Sequence, residues 1–104
     1  MSDFEFDELK REFLEEARTK VADMEALLPD CPAPESLDRL AYLAHQLKGS
    51  GGSYGYQNIS DDAAEIERLV EEISSSGQAP AEGKLDDSVS KLREGIDLAA
   101  AELK

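Results

Sequence analysis

The 104 residues include no tryptophan, one cysteine and one histidine, and aromatic residues make up only 6%. A lone cysteine, Cys31, excludes an internal disulfide and argues against a cysteine-based metal site. No apolar run approaches the ~18 residues of a membrane-spanning helix. Positive charge is also scarce: 11 Lys and Arg stand against 24 Asp and Glu, a net charge of −13 at pH 7. Such a field repels polyanions, so neither nucleic acid nor an anionic membrane is an expected partner. The start, Met1-Ser2-Asp3-Phe4-Glu5-Phe6-Asp7-Glu8, is acidic and lacks the basic opening of a secretory signal. A reducing cytoplasm is the expected compartment. β-branched residues are few and never alternate with polar ones, so a sheet has no support. What remains, 40% hydrophobic residues in a chain of this length, suits one globular domain spanning residues 1–104.

Four segments carry apolar residues at steps of three or four, the spacing that gathers side chains on one side of a helix. The first covers about residues 3–28, on Phe6, Leu9, Phe13, Ala17, Val21, Met24 and Leu28, with Ser2 and Glu5 resembling a capping box. Pro29, Pro32 and Pro34 end it, and Pro34 suits the first turn of the next helix. The second covers about 35–54, on Leu37, Leu40, Ala44, Leu47, Gly51 and Tyr54. The third covers about 58–74, on Ile59, Ala63, Ile66, Val70 and Ile73, with Asn58 or Ser60 as its N-cap. Residues 74–80, rich in serine with Gly77 and Pro80, read as a linker. The fourth helix covers about 81–103, on Leu85, Val89, Leu92, Ile96, Ala99 and Leu103. Short connections make neighbouring helices antiparallel, so the expected fold is all-α, an up-down-up-down four-helix bundle.

Caps and stripes account for three of these helices. The second holds a surplus, His45-Gln46-Leu47-Lys48-Gly49-Ser50-Gly51-Gly52-Ser53-Tyr54-Gly55. Each glycine in a helix interior costs about 1 kcal/mol against alanine, so stability alone would not place them there. At 100° per residue, His45 lies about 130° from the direction of the apolar stripe. Its neighbours three and four residues away are Ala41, Tyr42, Lys48 and Gly49, with Gly52 one turn further. The only histidine is therefore expected at the surface among small residues, open to a large partner, with a lysine able to hold an anion nearby. The bland readings are a surface histidine, a glycine loop that ends the helix early, and solvated charges at Lys48 and in Glu15-Glu16 and Glu71-Glu72. Residues 50–53 are where the helix would fray.

Other chemistries fit less well. A phosphate-cradling G-x-G-x-x-G would need glycine at Tyr54 and a preceding strand, and no Gly-Lys-Ser/Thr follows. A helical di-metal site needs Glu three residues before histidine, where Tyr42 stands, so no metal is expected. His45 has no serine or cysteine partner in a hydrolase motif.

Residues 44–55 resemble the signature of the histidine-containing phosphotransfer (HPt) domain family: His-x-Leu-Lys-Gly-Ser/Ala, small residues, then an aromatic or aliphatic residue and Gly. Phe13-Leu14-Glu15-Glu16-Ala17 is similar to the first helix of such domains, including those of chemotaxis kinases. The resemblance implies that His45 is the phosphorylated residue, Lys48 the lysine beside it, and Gly49 the residue that keeps space over the ring. It implies a phosphorelay intermediate that is not itself an enzyme. The intermediate would take a phosphoryl group from a receiver aspartyl phosphate or a sensor histidine kinase and pass it to the aspartate of a response regulator. No cofactor is implied for this chain; Mg²⁺ would sit on the receiver. Ala41, Tyr42 and Gly52 would lie under the docked receiver, and a monomer is expected. Either a stand-alone shuttle or a domain of a larger kinase fits the pattern. The rival reading is a small acidic helical adaptor or inhibitor, in which His45 is incidental. A nucleic-acid mimic, suggested by charge alone, leaves the glycines unexplained.

Overall fold

Pro34 opens a helix just as its fixed φ allows, and the helix before it gives out within the preceding prolines. A computed structural model describes residues 3–31, 33–77 and 83–103. It contains α1 (Asp3–Leu27), a short 3₁₀ turn (Leu28–Asp30), α2 (Pro34–Ser53), α3 (Gln57–Ser76) and α4 (Lys84–Glu102). No strand occurs among the described residues. Ser2 lies outside them, and with it the capping box. Each helix packs on the next and α4 closes back on α1. Arg18 meeting Asp97 and Glu25 meeting Arg93 run α1 against α4, while Lys48 meeting Glu67 and Gly51 meeting Ser60 run α2 against α3. The result is the antiparallel four-helix bundle, 48 × 19 × 19 Å.

The expected stripes are the core. Phe13, Ala17, Val21 and Met24 of α1, Leu37, Leu40, Ala44 and Leu47 of α2, and all five named residues of α3 are buried. Leu14, Leu43 and Leu69 are buried too. Each sits next to a stripe residue, because a bundle helix buries a face wider than one line of side chains. Phe6, Leu9, Leu28, Tyr54 and Leu103, towards the helix ends, are only half-buried.

Two local expectations need correction. Neither Asn58 nor Ser60 caps α3: the N-cap is Tyr56, without a side-chain bond, and the Ser60 hydroxyl donates elsewhere. The serines 74–76 are not linker either. They complete α3, which stops when Gly77 turns left-handed (φ 70°) and its amide bonds the Ile73 carbonyl at 2.9 Å. Serine is an indifferent helix former, and here the glycine, not the serines, sets the end. At the same end of the bundle α4 begins at Lys84, after Gly83.

The glycine-rich stretch stays helical to Ser53. It closes with the Tyr56 amide on the Gly51 carbonyl (2.8 Å) and the Gly55 amide on the Gly52 carbonyl (3.1 Å). This is a Schellman closure, and Gly55 takes the left-handed position it requires (φ 84°). Aromatic rings brace the turn from α1. Phe13 stacks on Tyr54 and Tyr56, with centroids 5.1 and 6.0 Å apart, and Lys10 sits 4.7 Å over the Phe6 ring. The turn after the candidate site is thus held against α1.

Candidate functional site

His45 projects from the middle of α2, with 72% of its side chain exposed. Its Nδ1 lies 3.4 Å from Oε2 of Glu67 on α3. Lys48, one turn on, brings its Nζ to 3.7 Å from the other oxygen of the same carboxylate. Glu67 is therefore shared between the imidazole and the ammonium, and its Oε1 is buried without a hydrogen-bond partner. Buried oxygens rarely go unpaired. The Lys48 ammonium, its ion-pair neighbour, stands 3.7 Å away, beyond hydrogen-bond length.

The backbone geometry that permits this is local. A Cβ at Gly51 would lie 3.2 Å from both the Ser60 amide nitrogen and the Ile59 side chain, so glycine lets α2 and α3 approach closely there. Ser60 Oγ donates to the Lys48 carbonyl at 2.9 Å, across the same seam. Gly51 is thus on the core face for packing, not for access. Gly49 is different: it is exposed, and a Cβ there would meet nothing within 4 Å. Gly52 is exposed and faces the Ser60 hydroxyl, 3.7 Å from where its Cβ would stand.

The remaining candidates lie on the same exposed side. Ala41 is half-buried and Tyr42 is 52% exposed. Tyr42 is not a free ring: the Arg39 guanidinium lies 5.3 Å over its face, and Gln46 Nε2 donates to its hydroxyl at 2.8 Å. A groove of about 430 Å³ between α1 and α2 runs past Tyr42 and Gln46 to Lys20 and Glu16. The structure therefore gathers His45, Lys48 and Glu67 into one cluster, and places Tyr42 with Arg39 and Gln46 beside it.

Glu67 was not legible as a single residue, since it is one acid among 24 Asp and Glu. The signal for it is positional. If the close approach pairs Gly51 with Ser60 about a tight turn, stepping back to His45 on α2 leads forward to Glu67 on α3. Among the described residues no cluster of three or more His, Cys, Asp or Glu could hold a metal ion. No helix there is long and apolar enough to cross a membrane.

Comparison with known proteins gives the family. The chain is 33% identical over 64 residues to chemotaxis protein CheA of Salmonella typhimurium, a match covering 58% of this chain and 10% of that protein. The chain thus spans a small part of the relative's length. No solved structure matches it. The family model of the Hpt domain matches residues 8–102, nearly the whole bundle. The chain belongs to the Hpt domain family, the phosphotransfer carriers of two-component signalling.

Proposed function

We propose that His45 is the phosphoryl acceptor and donor of this chain, working between a receiver-domain aspartyl phosphate or a sensor kinase and the aspartate of a response regulator. The observation that carries the reading is the Glu67 carboxylate 3.4 Å from Nδ1 of an otherwise exposed imidazole. A negative charge there favours the tautomer with its proton on Nδ1 and leaves the Nε2 lone pair free. In that tautomer the neutral ring is nucleophilic at Nε2.

The transfer balances without a general base. Nε2 attacks phosphorus in line as the P–O bond to the donor aspartate breaks, and the electron pair leaves on that carboxylate. The product is a phosphoimidazolium that keeps its Nδ1 proton beside Glu67. Attack by a second aspartate on phosphorus reverses the step and returns neutral imidazole. Lys48, released from Glu67, offsets the charge added at Nε2. Gly49 leaves the space through which the partner approaches. Ala41, Tyr42 and Gly52 form the surface under the receiver, and Mg²⁺ belongs to the receiver's own acidic site. In this reading the chain works in the cytoplasm as a carrier without kinase chemistry.

Incubation with a ³²P-labelled receiver tests the reading. Label should move to this chain, be lost in acid and survive alkali, and fail to appear on His45→Gln. A chain that binds the receiver yet takes no label would be an adaptor instead.

A further inference from the structure

Ser60 has no role in the phosphotransfer scheme above, and its hydroxyl is not spent on capping α3. It crosses to α2 and donates to the carbonyl of Lys48 at 2.9 Å. This side-chain hydrogen bond joins α3 to the main chain of α2. Lys48 is therefore met twice by α3, at its carbonyl by Ser60 and at its ammonium by Glu67, 3.7 Å away. Ser60 and Glu67 are two turns apart on α3, so they share a face, separated by roughly 10 Å of helix axis. The Ser60 bond forms only where the helices come close, and Gly51 supplies that closeness, since a Cβ there would lie 3.2 Å from the Ser60 amide nitrogen. A backbone atom cannot yield as a flexible side chain would.

We propose that Ser60 is a positioning residue for phosphoryl transfer at His45: its bond to the Lys48 carbonyl sets the α2–α3 register that holds the Glu67 carboxylate against Nδ1. The proposal rests on the reading of His45 given above. The two polar contacts of Glu67 are long, 3.4 and 3.7 Å, and neither would hold the seam by itself. Within a seam packed by the apolar stripes, the shorter Ser60 bond and the tight Gly51 contact fix its register near the α2–α3 turn. A helix moves as a rigid rod over two turns, so slack at Ser60 becomes slack at Glu67. The effect on the imidazole is a change of tautomer, not of fold.

The chain has a single histidine, so ¹⁵N-histidine labelling gives one imidazole whose two nitrogen shifts report the tautomer directly. The measurement is made on the alkaline plateau, where the two nitrogen shifts no longer change with pH. The full chain should show mostly Nδ1–H. Ser60→Ala should move it to a mixture of both tautomers and slow phosphotransfer about threefold to tenfold, short of the ~10²-fold that a 1 Å misplacement can produce. Ser60→Thr, which keeps the hydroxyl, should restore both. Gly51→Ala, which keeps the hydroxyl but wedges the seam, should resemble Ser60→Ala with the helical spectrum intact. Glu67→Gln separates the two levels of the account. If Glu67→Gln loses the Nδ1–H preference while Ser60→Ala keeps it, Ser60 does not position the site and the His45 reading survives. Failure of Ser60→Thr to rescue would also overturn the role given to Ser60. If the wild-type chain takes no phosphoryl group, it is the His45 reading that fails, whatever the tautomer shows.

Discussion

Two seams of the bundle are built on opposite plans. Between α1 and α4 the polar groups are satisfied at short range. Arg93 grips Glu25 through two hydrogen bonds of 2.7 Å, Arg18 reaches Asp97 at 3.1 Å, and Arg11 donates to the Leu103 carbonyl at 3.1 Å. Between α2 and α3 the helices meet on glycine and serine, and the charged groups are left short of full pairing. His45 and Lys48 share one carboxylate at 3.4 and 3.7 Å, and one of its oxygens has no hydrogen bond. The first seam keeps long cations folded onto their partners. The second brings the backbones close, keeps its hydrogen bond for the main chain, and leaves an imidazole and an ammonium available to something that arrives from outside. Close polar pairing and loose polar pairing thus lie on opposite sides of one small bundle.

The comparison breaks most visibly at the imidazole. His45→Gln should remove phosphoryl uptake entirely and leave the helical circular dichroism spectrum unchanged, since the side chain is largely exposed and lies outside the core. Next comes Gly49→Leu. Helical side chains lean towards the N-terminus, so leucine at 49 would cover the surface over His45. Transfer should fall by orders of magnitude in a quench-flow or gel assay. Stability should hold or rise by up to about 1 kcal/mol, because a Cβ at 49 enters open space and glycine leaves a helix interior.

A smaller effect is expected at the shared carboxylate. Glu67→Gln should slow transfer about tenfold, far less than the ~10⁴-fold lost when a buried catalytic triad loses its carboxylate. The exposed ring at His45 can still sample the reactive tautomer in water. Lys48→Ala should give a partial loss of rate and a shorter-lived phosphohistidine, with little change in melting temperature.

The α1–α4 seam gives the smallest effect, and on stability alone. Arg93→Ala should cost about 1 kcal/mol, the scale of a well-formed ion pair whose side chains are still about a third exposed. The Arg93 hydrogen bonds hold the Glu25 carboxyl below its usual range, against the opposing pull of partial burial. Its folded value is thus lower than its unfolded one. The stabilisation is complete above the ordinary glutamate value of about 4.3 and is lost as pH falls through the depressed one. Melting temperature should therefore drop on acidification below about pH 4.3, and drop less in Arg93→Ala, with phosphotransfer at neutral pH unaffected.

The helical architecture was readable because it depends on periodicity, and Leu40, Ala44 and Leu47 announce a core face whatever surrounds them. The exposure of His45 and the open space at Gly49 followed from the same helical arithmetic. What periodicity could not show was anything fixed by two helices at once. Glu67 looks like any other acid until α3 is laid against α2. Ser60 looks like a cap until its hydroxyl is seen crossing to Lys48. Gly51 falls on the core stripe by periodicity, but its role in bringing α2 close to α3 shows only when the Ser60 backbone is found against it. The α1–α4 arginine pairs were invisible for the same reason: residues far apart in sequence meet only in the folded chain.

The central claim is that Glu67 reserves Nδ1 of His45 and leaves Nε2 to react. The most direct measurement is heteronuclear NMR of the ¹⁵N-histidine-labelled chain after phosphorylation by a receiver aspartyl phosphate. The account predicts one phosphoryl group, coupled to Nε2 of His45, with the proton remaining on Nδ1. A phosphoryl group on Nδ1, or on any residue other than His45, would contradict it.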